Sequence, residues 1–182
     1  EISDLFKMRY FMTKAIYAGS FDPFTMGHLN ILNRSAKMFD EVIVAIGTNT
    51  SKKPLFTPDE KLEMITAVVK ESSYDNVRVV LHVDGLIVDF AKSEGATVMV
   101  RGIRSLTDME YEMSIASMNK TQQPEIESVF LMADEKYSFV SSSLIKEVAI
   151  FDGDVSGMVP ESIAKKMQEK YKVESLNFLI PR

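Results

Sequence analysis

Five short apolar runs, each followed by a segment of helical periodicity, constrain this chain more than any other feature. The runs are Ala15–Ala18, Glu41–Gly47, Val77–Val83, Ala96–Val100 and Ser128–Met132. Their central positions are apolar without polar alternation, the pattern of strands covered on both faces. Between them, His28 to Phe39 places Leu29, Leu32, Ala36 and Phe39 on one helical stripe. Thr57-Pro58-Asp59-Glu60 reads as a capping box with Pro at the first helical position, so a helix starts there and runs to about Glu71. Further helices are predicted over Leu86–Glu94, stopped by Gly95, and over Asp108–Lys120, Ser143–Ile150 and Glu161–Tyr171. Parallel strands need crossover connections, and these segments supply them. The predicted fold class is α/β: a single doubly wound, five-stranded parallel sheet of Rossmann-like type with helices on both faces.

At 182 residues, and about 150 per domain, one domain is expected. Its limits are read as 12–173. Residues 1–11, ahead of Met12 and the patterned TKAIYAG, read as an upstream or appended extension, and 174–182 as a C-terminal tail. The net charge of −5 argues against duplex-DNA binding. With no cysteine, disulfides, thiol nucleophiles and zinc–thiolate sites are excluded, and two histidines exclude a histidine-rich metal site. No apolar run approaches the ~20 residues of a membrane span, and the N-terminus lacks a secretory h-region, so a cytoplasmic chain is the default expectation.

In such sheets ligands bind beyond the carboxyl ends of the strands, where strand order reverses. Three segments fall there. Gly19-Ser20-Phe21-Asp22-Pro23 follows the first strand, with Thr25-Met26-Gly27-His28 opening the next helix. A helix N-terminus offers free N–H groups to an anion, and a neutral His28 can still donate one hydrogen bond. Locally this is either a phosphate site with Ser20 and His28 as donors, or a tight βα turn with a partly exposed histidine. A hydrolase reading of Ser20 and His28 is the lesser alternative, since Gly19-Ser20-Phe21-Asp22 is not a GxSxG elbow and no second triad partner stands out. Arg101-Gly102-Ile103-Arg104 follows the fourth strand. Its two guanidiniums can grip phosphate, or can be solvated surface charges. Tyr137-Ser138-Phe139-Val140 leads into Ser141-Ser142-Ser143, where one serine caps a helix and the others are spare donors. Glu112, Lys52 and Lys53 stand close in topology. His82 reads as structural, and the 12 methionines as core filler.

Gly-Ser-Phe-Asp-Pro with Thr-x-Gly-His, then Ser-Lys-Lys-Pro, Arg-Gly-Ile-Arg, Glu-Tyr-Glu and Ser-Ser-Ser-Leu-Ile-Lys-Glu-Val, resemble in order the bacterial phosphopantetheine adenylyltransferases, a family of the nucleotidyltransferase superfamily. The resemblance runs from about Lys14 to Tyr171. It implies transfer of the adenylyl group of ATP to 4′-phosphopantetheine, giving dephospho-coenzyme A and pyrophosphate in coenzyme A biosynthesis. It implies Mg²⁺ held mainly by substrate phosphates, coenzyme A as a feedback inhibitor and a homohexamer. By resemblance His28 stabilises the transition state, with Lys52 and Arg101 beside it. Ser20, Phe21, His28, Gly102, Ile103, Arg104, Glu112 and Tyr137, Ser138, Phe139, Val140, Ser141, Ser142 and Ser143 hold ATP. Ser20, Lys52, Ile87 and Arg101 line the phosphopantetheine side, and no side chain is assigned to metal. A nucleotidyltransferase with another acceptor, such as nicotinamide mononucleotide, and a nucleotide-sensing module without turnover are the competing expectations.

Overall fold

A computed structural model describes residues 12–48 and 53–179, with side chains through 172. The elements alternate as expected: β1 (Lys14–Gly19), α1 (Met26–Met38), β2 (Glu41–Gly47), α2 (Pro58–Glu71), β3 (Val77–His82), α3 (Ile87–Ser93), β4 (Val98–Ile103), α4 (Leu106–Gln122), β5 (Glu127–Met132), α5 (Ser142–Ile150) and α6 (Glu161–Leu179), with a short 3₁₀ turn at Glu135–Tyr137. All strand pairs are parallel, in the order β3-β2-β1-β4-β5. The sheet is doubly wound, and the order reverses between β1 and β4.

Because both faces are covered, alternate side chains of one strand enter different cores. Ala15, Tyr17, Val42, Val44 and Ile46 pack with Leu32 of α1, Ile65 and Val68 of α2, Ile145 of α5 and Ile163 and Met167 of α6. Ile16, Ile43, Ala45 and Met99 face the other way, onto Val88 and Ala91 of α3 and Ile126. This two-sided burial accounts for apolar runs without polar alternation. Gly102 lets α1 close onto β4, since a Cβ there would lie 3.0 Å from Ile31 Cγ1.

Two boundaries differ from the sequence reading by three residues or more. β4 runs on through Ile103, with Arg101, Gly102 and Ile103 paired to Phe130, Leu131 and Met132, so Arg101 is a strand residue and not the start of a loop. Pairing with β5 overrides the break that Arg and Gly suggest. α6 continues to Leu179, past the expected end at Tyr171 and through most of the segment read as a tail.

The start of α2 is as predicted: Thr57 Oγ1 accepts from the Glu60 N–H at 3.2 Å, and Glu60 Oε2 accepts from the Thr57 N–H at 2.8 Å. Thr57→Ala removes the first of these bonds, so we expect a loss of about 1 kcal/mol, read as a lower denaturation midpoint at unchanged m-value.

Candidate active site

The carboxyl ends of β1 and β4 and the N-termini of α1 and α5 enclose a cavity of about 320 Å³. His28 is placed by its own helix. Thr25 is the N-cap of α1: its Oγ1 accepts from the His28 N–H at 3.1 Å, and His28 Nδ1 accepts from the Thr25 N–H at 3.0 Å. Histidine thus takes the part that Glu or Gln plays in an ordinary capping box. With Nδ1 an acceptor, the neutral ring carries its proton on Nε2, the nitrogen on the opposite side of the ring. Burial, then the charges of Arg104 and Arg101, push the His28 pKa down to about 3. His28 is therefore a fixed neutral donor at physiological pH.

The turn after β1 is equally determined. Phe21 has φ +46, a left-handed conformation that a bulky residue holds only under constraint. Its ring supplies that constraint, 5.3 Å from Tyr17, 5.4 Å from Phe24 and 5.1 Å from His28 between centroids. A Cβ on Gly19 would come within 2.9 Å of this ring. Phe21 is 2% exposed, so it shapes the floor of the cavity while Ser20 stands exposed at its rim.

Arg101 and Glu112 form the partition to a second cavity of about 220 Å³, since both side chains, with Ala18 and Gly19, line both spaces. The Arg101 fork is bidentate on Glu112 (Nε to Oε2 2.6 Å, Nη2 to Oε1 2.7 Å), and Nη1 donates to the Ala18 carbonyl at 2.6 Å. Burial alone would weaken the charge on Arg101, but the Glu112 carboxylate reverses that and raises its pKa. The guanidinium expected to grip phosphate is thus oriented by a carboxylate expected to face ATP. Arg104 pairs with Asp108 at 2.9 Å and donates to the Val140 carbonyl at 3.1 Å, tying β4 to the segment before α5. Ser141 caps α5, accepting from the Leu144 N–H, and Ser142 Oγ donates to the Pro23 carbonyl at 2.8 Å.

Of the residues expected at the site, the first cavity brings together Ser20, Phe21, His28, Arg101, Gly102, Arg104, Glu112, Tyr137, Val140, Ser141, Ser142 and Ser143. Ile87 lines the second. Three do not reach either space. Ile103 is buried at 1% exposure, its side chain turned into the core by strand alternation. Ser138 Oγ donates back to the Glu135 carbonyl, capping its own turn, and Phe139 is 58% exposed. Lys52 lies outside the described residues. The sequence reading missed Tyr17, gave no role to Asn119, which lies on the same helix as Glu112, and read His82 as structural although it lines the second cavity.

An all-parallel sheet of this order, with a turn and a helix N-terminus at its switch point, is the Rossmann-like arrangement that nucleotidyltransferases share. The Cytidylyltransferase-like family model matches residues 16–148. Nicotinic acid mononucleotide adenylyltransferase from Plasmodium falciparum, solved with NaAD, superimposes with a TM-score of 0.67 at 15% identity, over 90% of this chain and 97% of that one. The phosphopantetheine adenylyltransferase of Heliobacterium modesticaldum is 51% identical over 160 residues, 88% of this chain and 94% of that protein. That of Dictyoglomus turgidum is 47% identical over 163 residues, 90% of this chain and all of its own length. The chain belongs to the phosphopantetheine adenylyltransferase family of nucleotidyltransferases.

Removing one partner of the Arg101–Glu112 pair strands a largely buried charge, whereas replacing both does not. Glu112→Ala is expected to cost about 3 kcal/mol, the lower end for a broken buried pair because Arg101 keeps some solvent contact, and Glu112→Met with Arg101→Met clearly less. Chemical denaturation of the single and double variants checks this.

Proposed function

We propose that this chain transfers the adenylyl group of ATP to 4′-phosphopantetheine, giving dephospho-coenzyme A and pyrophosphate. The observation that carries this reading is the meeting of two unlike cavities at Arg101. The first is rich in donors: the His28 Nε2–H, the hydroxyls of Ser20 and the α5 serines, and Arg104. The second is walled by Ile87, Met99, Ile115 and Ala116, with the Asn119 amide among them, and suits an apolar arm that carries amide groups. A phosphate at the end of that arm would reach Arg101, beside the phosphates of ATP.

The acceptor phosphate is ionised near neutral pH, so attack needs neither a general base nor a covalent enzyme intermediate. Its oxygen attacks the α-phosphorus in line, the bond to the bridging oxygen breaks, and that electron pair leaves with pyrophosphate. The protein contributes alignment of the two substrates and donors aimed at charge developing on the α-phosphoryl oxygens. His28 supplies the donor nearest the turn, and its low pKa keeps the ring neutral throughout the working pH range. Glu112 acts through Arg101 by fixing its fork. Lys52, whose resemblance role is at the acceptor phosphate, completes the charge.

The nucleotide would bind as its Mg²⁺ complex. The carboxylates near the cavities are engaged, Glu112 by Arg101, Asp108 by Arg104 and Asp22 by Lys146, and no group of three ligating side chains converges among the described residues. Substrate phosphates and water would then hold the ion, in keeping with Mg²⁺ chemistry, and it would neutralise charge on the leaving group. Coenzyme A carries both an adenine nucleotide and a pantetheine arm, so it fits the role of feedback inhibitor at the same two cavities. The substrates proposed are phosphorylated metabolites, which supports a cytoplasmic reaction. No described helix is long and apolar enough to cross a membrane.

α4 supports assembly. Leu106, Tyr111, Met113 and Met118 of α4 are more than half exposed, as is Met132 at the end of β5, and such exposed apolar side chains suit contact with further copies of the chain. We propose a homohexamer, and a light-scattering mass of one chain at micromolar concentration would refute it.

Pyrophosphate release with ATP, Mg²⁺ and 4′-phosphopantetheine, beside a control without acceptor, tests the reaction. Acceptor-dependent release is expected, and its absence from folded protein would overturn the proposal. His28→Ala should lower kcat by about 10²–10³, the range for one lost transition-state donor, with a far smaller effect on ATP binding. Any step at about pH 6 in the kcat profile belongs to the second ionisation of the acceptor phosphate and should persist in His28→Ala, because the ring is already neutral there.

A further inference from the structure

The second cavity is walled mainly by apolar side chains, and His82 interrupts that lining at the β3 edge of the sheet. His82 is the last residue of β3, paired with Gly47 of β2. Its Nε2 lies 3.1 Å from the Gly85 carbonyl oxygen. A carbonyl oxygen only accepts, so Nε2 carries the proton and donates it, and in the neutral ring Nδ1 is then an acceptor. The ring also packs against Phe90 of α3, 5.2 Å between centroids, so a second element holds its orientation. Among the described residues Nδ1 has no hydrogen-bond partner.

The two nitrogens therefore have separate parts. Through Nε2 the ring holds the turn into α3. Gly85 sits at φ +83, a conformation that suits glycine, and Leu86, the N-cap of α3, makes no side-chain cap bond. The bond from His82, with one from Thr48 Oγ1 to the Val83 carbonyl at 3.4 Å, ties this turn to the sheet and sets Ile87, the first residue of α3, against the cavity. Through Nδ1 the ring offers a lone pair and no proton. Away from Arg101 and Glu112, the other polar side chains of the cavity are Asn119 and Ser128, and each of these can donate as well as accept. His82 is the selective one: its free nitrogen favours an N–H and repels a carboxylate.

The position names the group that meets it. Arg101 stands on β4 and His82 on β3, three strand spacings apart, about 14 Å across the sheet. An arm whose phosphate lies at Arg101 brings its far end, not its phosphate, to His82. In 4′-phosphopantetheine the polar group toward that end is the second amide, next to the thiol-bearing ethyl group. We propose that His82 is a specificity-determining residue of the acceptor cavity, accepting at Nδ1 a hydrogen bond from the distal amide N–H of the arm. The identity of the arm rests on the adenylyl-transfer reading.

The test compares two acceptors across variants of His82. 4′-Phosphopantothenate carries a carboxylate where 4′-phosphopantetheine has the distal amide. His82→Leu is expected to raise the KM for 4′-phosphopantetheine about tenfold, the worth of one hydrogen bond with its donor left unpaired. The KM for ATP and the inhibition constant of 4′-phosphopantothenate should not rise, so the preference for the amide arm narrows. Equal losses toward both arms would overturn the proposal. His82→Gln can keep a donor for the Gly85 carbonyl but has no acceptor in place of Nδ1, and should behave as His82→Leu does. His82→Asn sets its carbonyl oxygen near the place of Nδ1 and should recover the lower KM. Recovery by the Gln variant and not by the Asn variant would overturn the ligand contact and leave His82 a support for the turn into α3. If His82→Leu fails to fold, this pair decides alone. Calorimetric titration with 4′-phosphopantetheine by itself separates the proposal from the reaction. Affinity lost in His82→Gln and kept in His82→Asn upholds the contact even in a chain that releases no pyrophosphate from ATP, and equal affinity in every variant overturns it.

Discussion

β1 is hydrogen-bonded on both edges, to β2 and to β4, and those neighbours lead to opposite halves of the chain. Where the two halves part, no strand or crossover covers the sheet, so the carboxyl ends of β1 and β4 open onto a crevice. Everything with chemical character is gathered there by that one feature. The turn at Gly19–Phe21 comes from β1, Arg101 and Gly102 from β4, His28 from the helix that leaves β1, and the serines from the helix reached after β5. The close contact of α1 with Gly102 keeps two of these groups in register.

Around the crevice, three charged groups are held by specific partners. Arg101 is oriented by Glu112 and the Ala18 carbonyl, Arg104 by Asp108 and the Val140 carbonyl, and Asp22 by Lys146 and two backbone amides. Such pairs contribute little net stability after desolvation. They fix direction instead, which is what in-line transfer between two phosphates requires. His28 follows the same logic without charge: the capping box settles its tautomer, and burial among Phe21, Phe24 and two guanidiniums keeps it neutral.

Much of this was legible in the residues. The apolar runs predicted strands covered on both faces, and the Thr57–Glu60 box placed the start of α2. The ordered motifs pointed to the crevice and to the family. Other features were not legible. Lys61 was not singled out, although its place on the stripe of Met64, Ile65 and Val68 was a sign of burial. Ser138 and Phe139 sat in a motif whose neighbours line the cavity, yet a local turn carries them away from it. Arg101 and Glu112 were each read as ligand contacts, and their bidentate pairing with one another was not foreseen.

By itself, then, the sequence determined which segments are strands and helices, that the sheet is parallel, and which turns and helix starts can hold phosphate. These follow from periodicity, capping and glycine placement, all of which act within a few residues. Tertiary structure alone decided the strand order, the partition of the site by Arg101 and Glu112, and the pairing of Asp22 with Lys146. Those pairings join residues far apart in the chain, and their geometry exists only once the strands have found their neighbours and burial has made each unpaired charge expensive.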